Sequence, residues 1–454
     1  MPVLHGPLNY ELSALSHLVF GTVDVANRIP AALAGTIAVA LAAWLRRPLG
    51  REAAFAAGVL LCLSPTLLYH SRFSREELVL ACVTLGFVAV AAHVVRRPRR
   101  WHVEALGALL ALSFATKEAT FLHVPVGIVA GLAWWRLRGP GRRRITVPLT
   151  WWLSGTVVFA LVFVILYGQF GTHLSGVADG AFGGLRYWAR EHTLHRGGED
   201  WFAYFILLIA YELPLVVLGI AGSVWSLRRR HALGTAAAVA AALTLGVYSY
   251  AGERFPWLLV TTLLPLALLG GLGFAALLHS SRLTAVLVTA PLAAILLWSD
   301  VQVQILRPND PRELMTVAPT DAAVPEIAAQ LRARDERALA TGRPRPTIEV
   351  DPNFGGASPW SWYLRGMRAA YPDMASARYV PHADVLIVTA TARPLLAGRL
   401  RDYDGGRRFV MRARRPPIGT GFTPAGFLRW FVHREPWAPV TPEPEWIYLR
   451  RGTR

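Results

Sequence analysis

Between residues 29 and 299 the chain repeats one pattern, an apolar run of about 18–25 residues closed by a short polar stretch. Runs of this length cross a bilayer as helices, because a helix satisfies its own backbone hydrogen bonds where no water can. The pattern predicts about ten spans, at 29–45, 52–69, 78–95, 103–122, 123–137, 148–168, 202–227, 232–250, 256–278 and 282–299. The fourth and fifth form one hydrophobic unit broken near Lys117. A half-polar stretch at 7–20 predicts a helix lying in the membrane interface.

After Asp300 the pattern shortens. "TIEVD" (347–351), "ADVLIVT" (383–389), "RFVMRA" (408–413) and "WIYLRR" (446–451) have the β-branched and aromatic content of strands, and "AAVPEIAAQLRARDERALA" has the period of a helix. The predicted fold is therefore a polytopic α-helical membrane bundle, residues 1–299, followed by a C-terminal α/β domain, residues 300–454. In that domain "SPWSWYLRG" (358–366) is aromatic-dense, which suits a core before it suits sugar or membrane contact, and the same holds for the tryptophan of "REPWAP" (434–439).

Composition agrees with a membrane chain: 54% of residues are hydrophobic, 17% are charged, and the mean hydropathy is +0.37. Cys62 and Cys82 both fall in apolar runs, which excludes a disulfide framework. The start of the chain lacks the basic segment and short apolar core of a cleavable leader. The net charge of +18 does not point to nucleic acid, because the basic residues do not gather on one face.

They orient the chain instead. Arg46, Arg47 and Arg51 follow the first span, Arg96, Arg97, Arg99 and Arg100 the third, and Arg136, Arg138, Arg142, Arg143 and Arg144 the fifth. Arg228–Arg230 follow the seventh and Arg282 the ninth, while the intervening loops hold Glu76, Glu77, Glu118, Asp179, Glu191, Glu199, Asp200 and Glu253. By the positive-inside rule the arginine loops are cytoplasmic, so the acidic loops and the domain after Asp300 face outward.

The remaining charges collect on that outer side. "SRFSREEL" (71–78) supplies Arg72, Arg75, Glu76 and Glu77; "ATKEAT" supplies Lys117 and Glu118; "YELP" supplies Glu212; "YSYAGERFPW" supplies Glu253 and Arg254. Charges at membrane depth cost at least ~2.5–3.5 kcal/mol each and are kept where they face a cavity or a function. Arginine forks and an ammonium suit phosphate oxygens; carboxylates suit proton abstraction or orientation of sugar hydroxyls. Lys117 stands out because it is the only lysine among 47 basic residues, so a compact ammonium is wanted there rather than a planar fork. Simple mutual neutralisation at loop ends is the competing account of these pairs, and for Glu212 it is a helix cap at the Pro214 break. The loop 169–201 carries His173, His192 and His195 without the spacing of any metal motif, and reads as an interfacial loop that folds partly over a site. No cofactor is implied, and no ligand pattern supports a divalent metal.

Seven motifs in order, "HGPLNYEL", "SPTLLYHSRFSREEL", "ATKEAT", "YELPLVVLGIAG", "YSYAGERFPWLL", "PWSWYLRG" and "REPW", resemble the flippase-activity-associated membrane proteins. That family is of GT-C type and is related to protein O-mannosyltransferases and the lipid A aminoarabinose transferase. The resemblance implies a multi-span bundle with an outward, loop-built site and a trailing outer domain. It implies transfer of a sugar from a polyprenyl-phosphate donor to a glycan, lipid or protein acceptor, with inversion, in contact with membrane lipids and without nucleic acid. Lys117 and Arg254 would contact the donor phosphate, with Arg72 and Arg75 as further cations; Glu76 and Glu77, the candidate catalytic acids, would help shape the site, and His5, Glu118, Glu212 and Glu253 would line it. Relatives carry a membrane span and an outer loop with an acidic pair before "HGPL", which here begins at His5. The expectation is that this span and the usual base are missing, with Glu11 the nearest acid, and that in-frame codons upstream supply them if the start is truncated. The alternative reading is a non-catalytic protein that binds lipid-linked saccharide and supports its flipping or export. A transporter is the third reading, and no inverted repeat of broken spans favours it.

Overall fold

The structure is a computed structural model and describes residues 5–137, 146–194 and 197–452. Two compact units emerge, one of Met1–Pro308 with Pro417–Gly419, the other of Asn309–Pro416 with Thr420–Arg454. Arg138, Arg142–Arg144 and His195 lie outside the described residues, and of His192 and Glu191 only the backbone is described.

The first unit is helical throughout. Its helices are α1 (Leu8–Phe20), α2 (Asp24–Trp44), α3 (Arg46–Leu49), α4 (Arg51–Cys62), α5 (Pro65–Ser71), α6 (Glu77–Arg96), α7 (Arg100–Thr116) and α8 (Thr120–Arg136). Then come α9 (Leu149–Tyr167), α10 (Gly176–Leu194), α11 (Ala203–Tyr211), α12 (Leu213–Arg228), α13 (Ala232–Tyr250), α14 (Leu259–Ser280) and α15 (Arg282–Asp300). Among the described residues six helices are long and apolar enough to cross a membrane, or eight if each of two bent pairs, α4–α5 and α11–α12, is one span. The expected count of about ten is not reached on that test, because α7 and α8, the pair broken at Lys117, have 17 residues each, at the short end for a span. Large apolar side chains remain exposed along α9 (Leu149, Leu153, Val157, Leu161) and α15 (Leu283, Val286, Leu287), a surface that lipid must cover. The chain is a multi-pass membrane protein.

Each break has a local cause. α4 and α5 meet at 58°, where Ser64 caps α5 by accepting the Leu67 N–H and Pro65 cannot continue the earlier helix. α11 and α12 meet at 101° because Pro214 offers no N–H to the Ala210 carbonyl, which instead accepts from the Ser299 hydroxyl at 3.5 Å. Between α7 and α8 the backbone of Lys117 is extended (φ −157°, ψ 141°), and the Ser113 carbonyl accepts both the Lys117 N–H at 3.2 Å and the Thr120 hydroxyl at 2.7 Å. α7 and α9 approach through Gly107 and Gly155, where a Cβ on either residue would overlap the other helix's backbone, the usual device for close packing in lipid.

The second unit is an α/β layer. Its strands are β1 (Thr347–Val350), β2 (Arg368–Ala370), β3 (Val385–Thr389), β4 (Arg407–Arg414) and β5 (Thr441–Leu449), in the order β2-β1-β3-β5-β4. β2, β1 and β3 run parallel, and β5 pairs antiparallel with β3 and β4. Alternate residues pack opposite faces: Ile348, Val350, Val385 and Ile387 lie with Val324, Ile327 and Leu331 of α16 (Ala323–Ala340), whereas Leu386, Val388 and Tyr448 lie with Met374, Leu396 and Tyr403. Trp360, on α17 (Ala357–Tyr363), is fully buried in the first cluster and donates its indole N–H to Glu445 at 2.9 Å. In the aromatic stretch "SPWSWYLRG" that tryptophan is core. Two further helices, α18 (Arg393–Leu396) and α19 (Pro424–His433), complete the unit.

Candidate functional site

Glu76 and Glu77 open α6, where the helix's unpaired N–H groups favour negative charge. The turn before them carries Arg75, and the break between α7 and α8 carries Lys117 and Glu118. These segments converge. The Lys117 ammonium lies 3.0 Å from Glu76 Oε1 and 2.7 Å from Glu77 Oε1, and the Arg75 Nη2 lies 3.2 and 3.1 Å from the same two oxygens. Arg75 rests its guanidinium on the Trp257 ring, 4.0 Å from the centroid.

His5 joins the cluster from the N-terminal side. Its Nδ1 is 3.1 Å from Glu118 Oε2 and its Nε2 is 3.5 Å from Glu76 Oε1. This approach depends on Gly6, since a Cβ there would overlap the Ala115 carbonyl oxygen at the end of α7. Two cations thus face the Glu76 and Glu77 carboxylates, and His5 bridges Glu76 and Glu118; all three carboxylates are buried. Burial disfavours the charge on Arg75, but Glu77 and Glu76 outweigh it and hold the guanidinium's proton more tightly than usual, and Glu253 adds to the effect.

The other expected site residues are engaged elsewhere. Arg72 donates to the Gln304 carbonyl and side-chain oxygens at 3.2 and 3.3 Å. Arg254 donates to the Ser249 and Glu199 carbonyls at 3.0 and 2.9 Å. Glu212 is fully buried at the α11–α12 break, where one of its oxygens accepts from the Ser64 hydroxyl at 2.7 Å and from the Thr66 N–H at 2.9 Å. It ties the two broken helix pairs together.

The bundle holds two hollows of interest, the first lined in part by His5 and Glu118 of the cluster. A cavity of about 480 Å³ is lined by His5, Glu118, Tyr167, Gln169, Asp179 and Tyr187 among others, and α10 with its glycines forms part of its wall. Loop 169–201, expected to fold over a site, contains that helix. An apolar groove of about 280 Å³ runs between α6, α8, α13 and α14, lined by Leu85, Val88, Val126, Ala237 and Leu268. His123, at its edge, is 2.6 Å from the Tyr248 hydroxyl. The sequence reading singled out "YSYAGERFPW" for its charges and passed over Tyr248 and Trp257; their aromatic character alone did not separate them from core residues. No group of three or more His, Cys, Asp or Glu suited to a metal ion occurs among the described residues.

The described residues thus form a bent-helix membrane bundle with a cation–carboxylate cluster, followed by a five-stranded α/β unit. Residues 4–167 match the sequence profile of the dolichyl-phosphate-mannose-protein mannosyltransferase family. The fold is similar to the crystal structure of ArnT from Cupriavidus metallidurans in the apo state, with TM-score 0.57 and 15% identity over 98% of this chain and 87% of that one. An oligosaccharyltransferase from Archaeoglobus fulgidus, solved with zinc and sulfate, aligns with TM-score 0.48 and 14% identity over 82% of this chain and 54% of that one. No curated protein sequence matches the chain. The chain thus shares its fold with ArnT, and over residues 4–167 it resembles the O-mannosyltransferase family, the two relationships its motifs indicated.

Proposed function

We propose that this protein transfers a sugar from a polyprenyl-phosphate donor to an acceptor at the outer face of the cell membrane. The observation that carries the reading is the Arg75–Lys117 pair, a buried ammonium and a partly buried guanidinium held side by side by Glu76 and Glu77. A buried ion cluster of this kind is expensive as a mere stabiliser. It suits a phosphate group that gains charge as the sugar departs, because the cations are in place before the charge develops. The apolar groove between α6, α8, α13 and α14 suits an isoprenoid chain. In the reaction, the bond between sugar C1 and the phosphate oxygen breaks, an acceptor oxygen bonds to C1, and the acceptor's proton passes to a base. Glu76 and Glu77 are occupied by Lys117 and Arg75, so their role is to position the cations. The loop-arginine pattern supports an outward site and an extracytoplasmic second unit.

The test is binding of undecaprenyl phosphate and of the neutral polyprenol to the purified chain in nanodiscs. The phosphate lipid should bind at least tenfold more tightly; equal affinity removes the donor assignment. Tight binding without sugar transfer in membranes expressing the chain, compared with membranes lacking it, would make the protein a lipid-linked-saccharide binder instead of an enzyme.

A further inference from the structure

The 480 Å³ cavity differs in chemistry from the cation cluster it adjoins. Its described lining contains Glu118, Asp179, Gln169, His5 and His173, with Tyr167 and Tyr187, and no lysine or arginine. It is therefore a poor place for a phosphate and a good one for neutral hydroxyls, which carboxylates and amides orient while aromatic rings cover the apolar faces. The α10 glycines make room for it: a Cβ at Gly180 would enter the Tyr167 ring and one at Gly184 the Phe121 ring, while a Cβ at Gly183 would meet nothing within 4 Å. His5 belongs to both places. It lines the cavity with its side chain 21% exposed, holds Glu118 through Nδ1, and lies 3.5 Å through Nε2 from Glu76, the carboxylate shared by Lys117 and Arg75.

We infer that this cavity is the acceptor subsite, that it takes a neutral saccharide hydroxyl, and that His5, positioned by Glu118, is the general base. The inference rests on the glycosyl-transfer reading above. In the tautomer that donates Nδ1–H to Glu118, Nε2 carries the lone pair. The acceptor hydroxyl gives its proton to Nε2 as its oxygen bonds to sugar C1; the C1–O bond to the phosphate breaks, and the polyprenyl phosphate leaves with one more negative charge. Glu118 and Glu76 stabilise the imidazolium so formed, while Lys117 and Arg75 face the leaving group.

The test uses membranes from a host strain lacking its own copy and expressing the wild-type or a variant chain. They are supplied in turn with tritiated nucleotide sugars, from which the membranes make their own polyprenyl-phosphate sugars. Purified envelope polysaccharide of the host is the acceptor, and undecaprenyl-phosphate binding to each purified chain is measured in parallel. His5→Gln should lower the turnover of sugar transfer by about a hundredfold or more, the scale of a lost general base, with lipid-phosphate binding within threefold of wild type. Glu118→Gln should lose less, and the double variant no more than His5→Gln alone, since the two act as one unit. Gly183→Phe, or Gly183→Val if the larger residue lowers the Tm, should raise the acceptor KM at least tenfold and leave lipid binding unchanged. Transfer by His5→Gln within a few-fold of wild type overturns the base assignment, and a silent, folded Gly183→Phe overturns the subsite. Label recovered in protein and released by β-elimination, in place of polysaccharide, overturns the acceptor class. Absence of any transfer that depends on the wild-type chain removes the glycosyl-transfer reading itself, and this inference with it.

Discussion

Lys117 was singled out in the sequence because it is the one lysine, and the structure supplies a reason why arginine is absent there. Its ammonium lies 3.0 and 2.7 Å from Glu76 and Glu77, with Arg75 Nη2 already 3.2 and 3.1 Å from the same two oxygens. A second planar guanidinium would not fit among these partners without pushing Arg75 away. Lys117→Arg should therefore weaken undecaprenyl-phosphate binding about ten- to a hundredfold, the worth of one charge-assisted contact, whereas Arg97→Lys, in a connecting loop, should change nothing. Lys117→Met should also lower the Tm, because removing one member of a buried cluster leaves the others uncompensated, at a cost of roughly 3–5 kcal/mol. A well-folded Lys117→Arg of unchanged affinity would show that the position needs only a charge. A second residue makes a pH prediction in the α/β unit. Glu445 is 2% exposed, and burial pushes its carboxyl up from 4.5 to about 7. Between those values the folded state binds more protons than the unfolded one, so this contribution to stability is complete below about pH 4.5 and is lost as pH rises through 7. Glu445→Gln keeps an acceptor for the Trp360 N–H and removes the titration. It should flatten the pH dependence of hydrogen exchange in β3 and β5 and slow exchange at pH 8, with an effect on the order of 1–3 kcal/mol. An unchanged pH profile would mean that Glu445 does not titrate in this window.

At the scale of elements, the bundle is organised by its breaks more than by its straight helices. The extended turn at Lys117 delivers the ammonium, the α6 start delivers two carboxylates, and Gly6 admits His5. Glu212 locks the bend between α11 and α12 to the start of α5 through Ser64 and Thr66. Glu212→Ala strips two buried donors of their acceptor, so it should destabilise the protein by about 1–3 kcal/mol for each donor left unpaired. Ser64→Ala should cost less, because the Thr66 N–H keeps its partner. Thermal melts in detergent read both, and a neutral Glu212→Ala would indicate that the bends hold without this link. Apolar run length made most helices legible in the sequence and Pro214 the bend between α11 and α12, since period and missing N–H groups are local properties; the α4–α5 bend fell inside the stretch 52–69, read as one span. The short edge strand β2 and helix α10 were not legible: β2 has three residues and exists through its pairing with β1, and α10 is too rich in glycine to announce a helix.

For the whole molecule, orientation is the property on which the outward site depends. Arg97 and Arg229 should be shielded in intact, wall-stripped cells, and protease added outside should remove a tag at the C-terminus. Full protection of that tag, while a known outer marker is digested, would reverse the orientation and place the cluster on the cytoplasmic side.

The sequence by itself determined that the chain is a multi-pass membrane protein with an α/β unit after it, because hydropathy and helical period are written locally. It also marked which charges stand where lipid disfavours them. Tertiary structure decided which of those charges meet. Arg75, Glu76, Glu77, Lys117, Glu118 and His5 form one cluster, while Arg72, Arg254 and Glu212 serve backbone and helix ends. His5 and Glu118 are 113 positions apart. Their contact arises because α7 ends at Lys117 and a glycine at position 6 lets the two backbones touch, a matter of steric fit in three dimensions that the spacing of residues along a chain does not record.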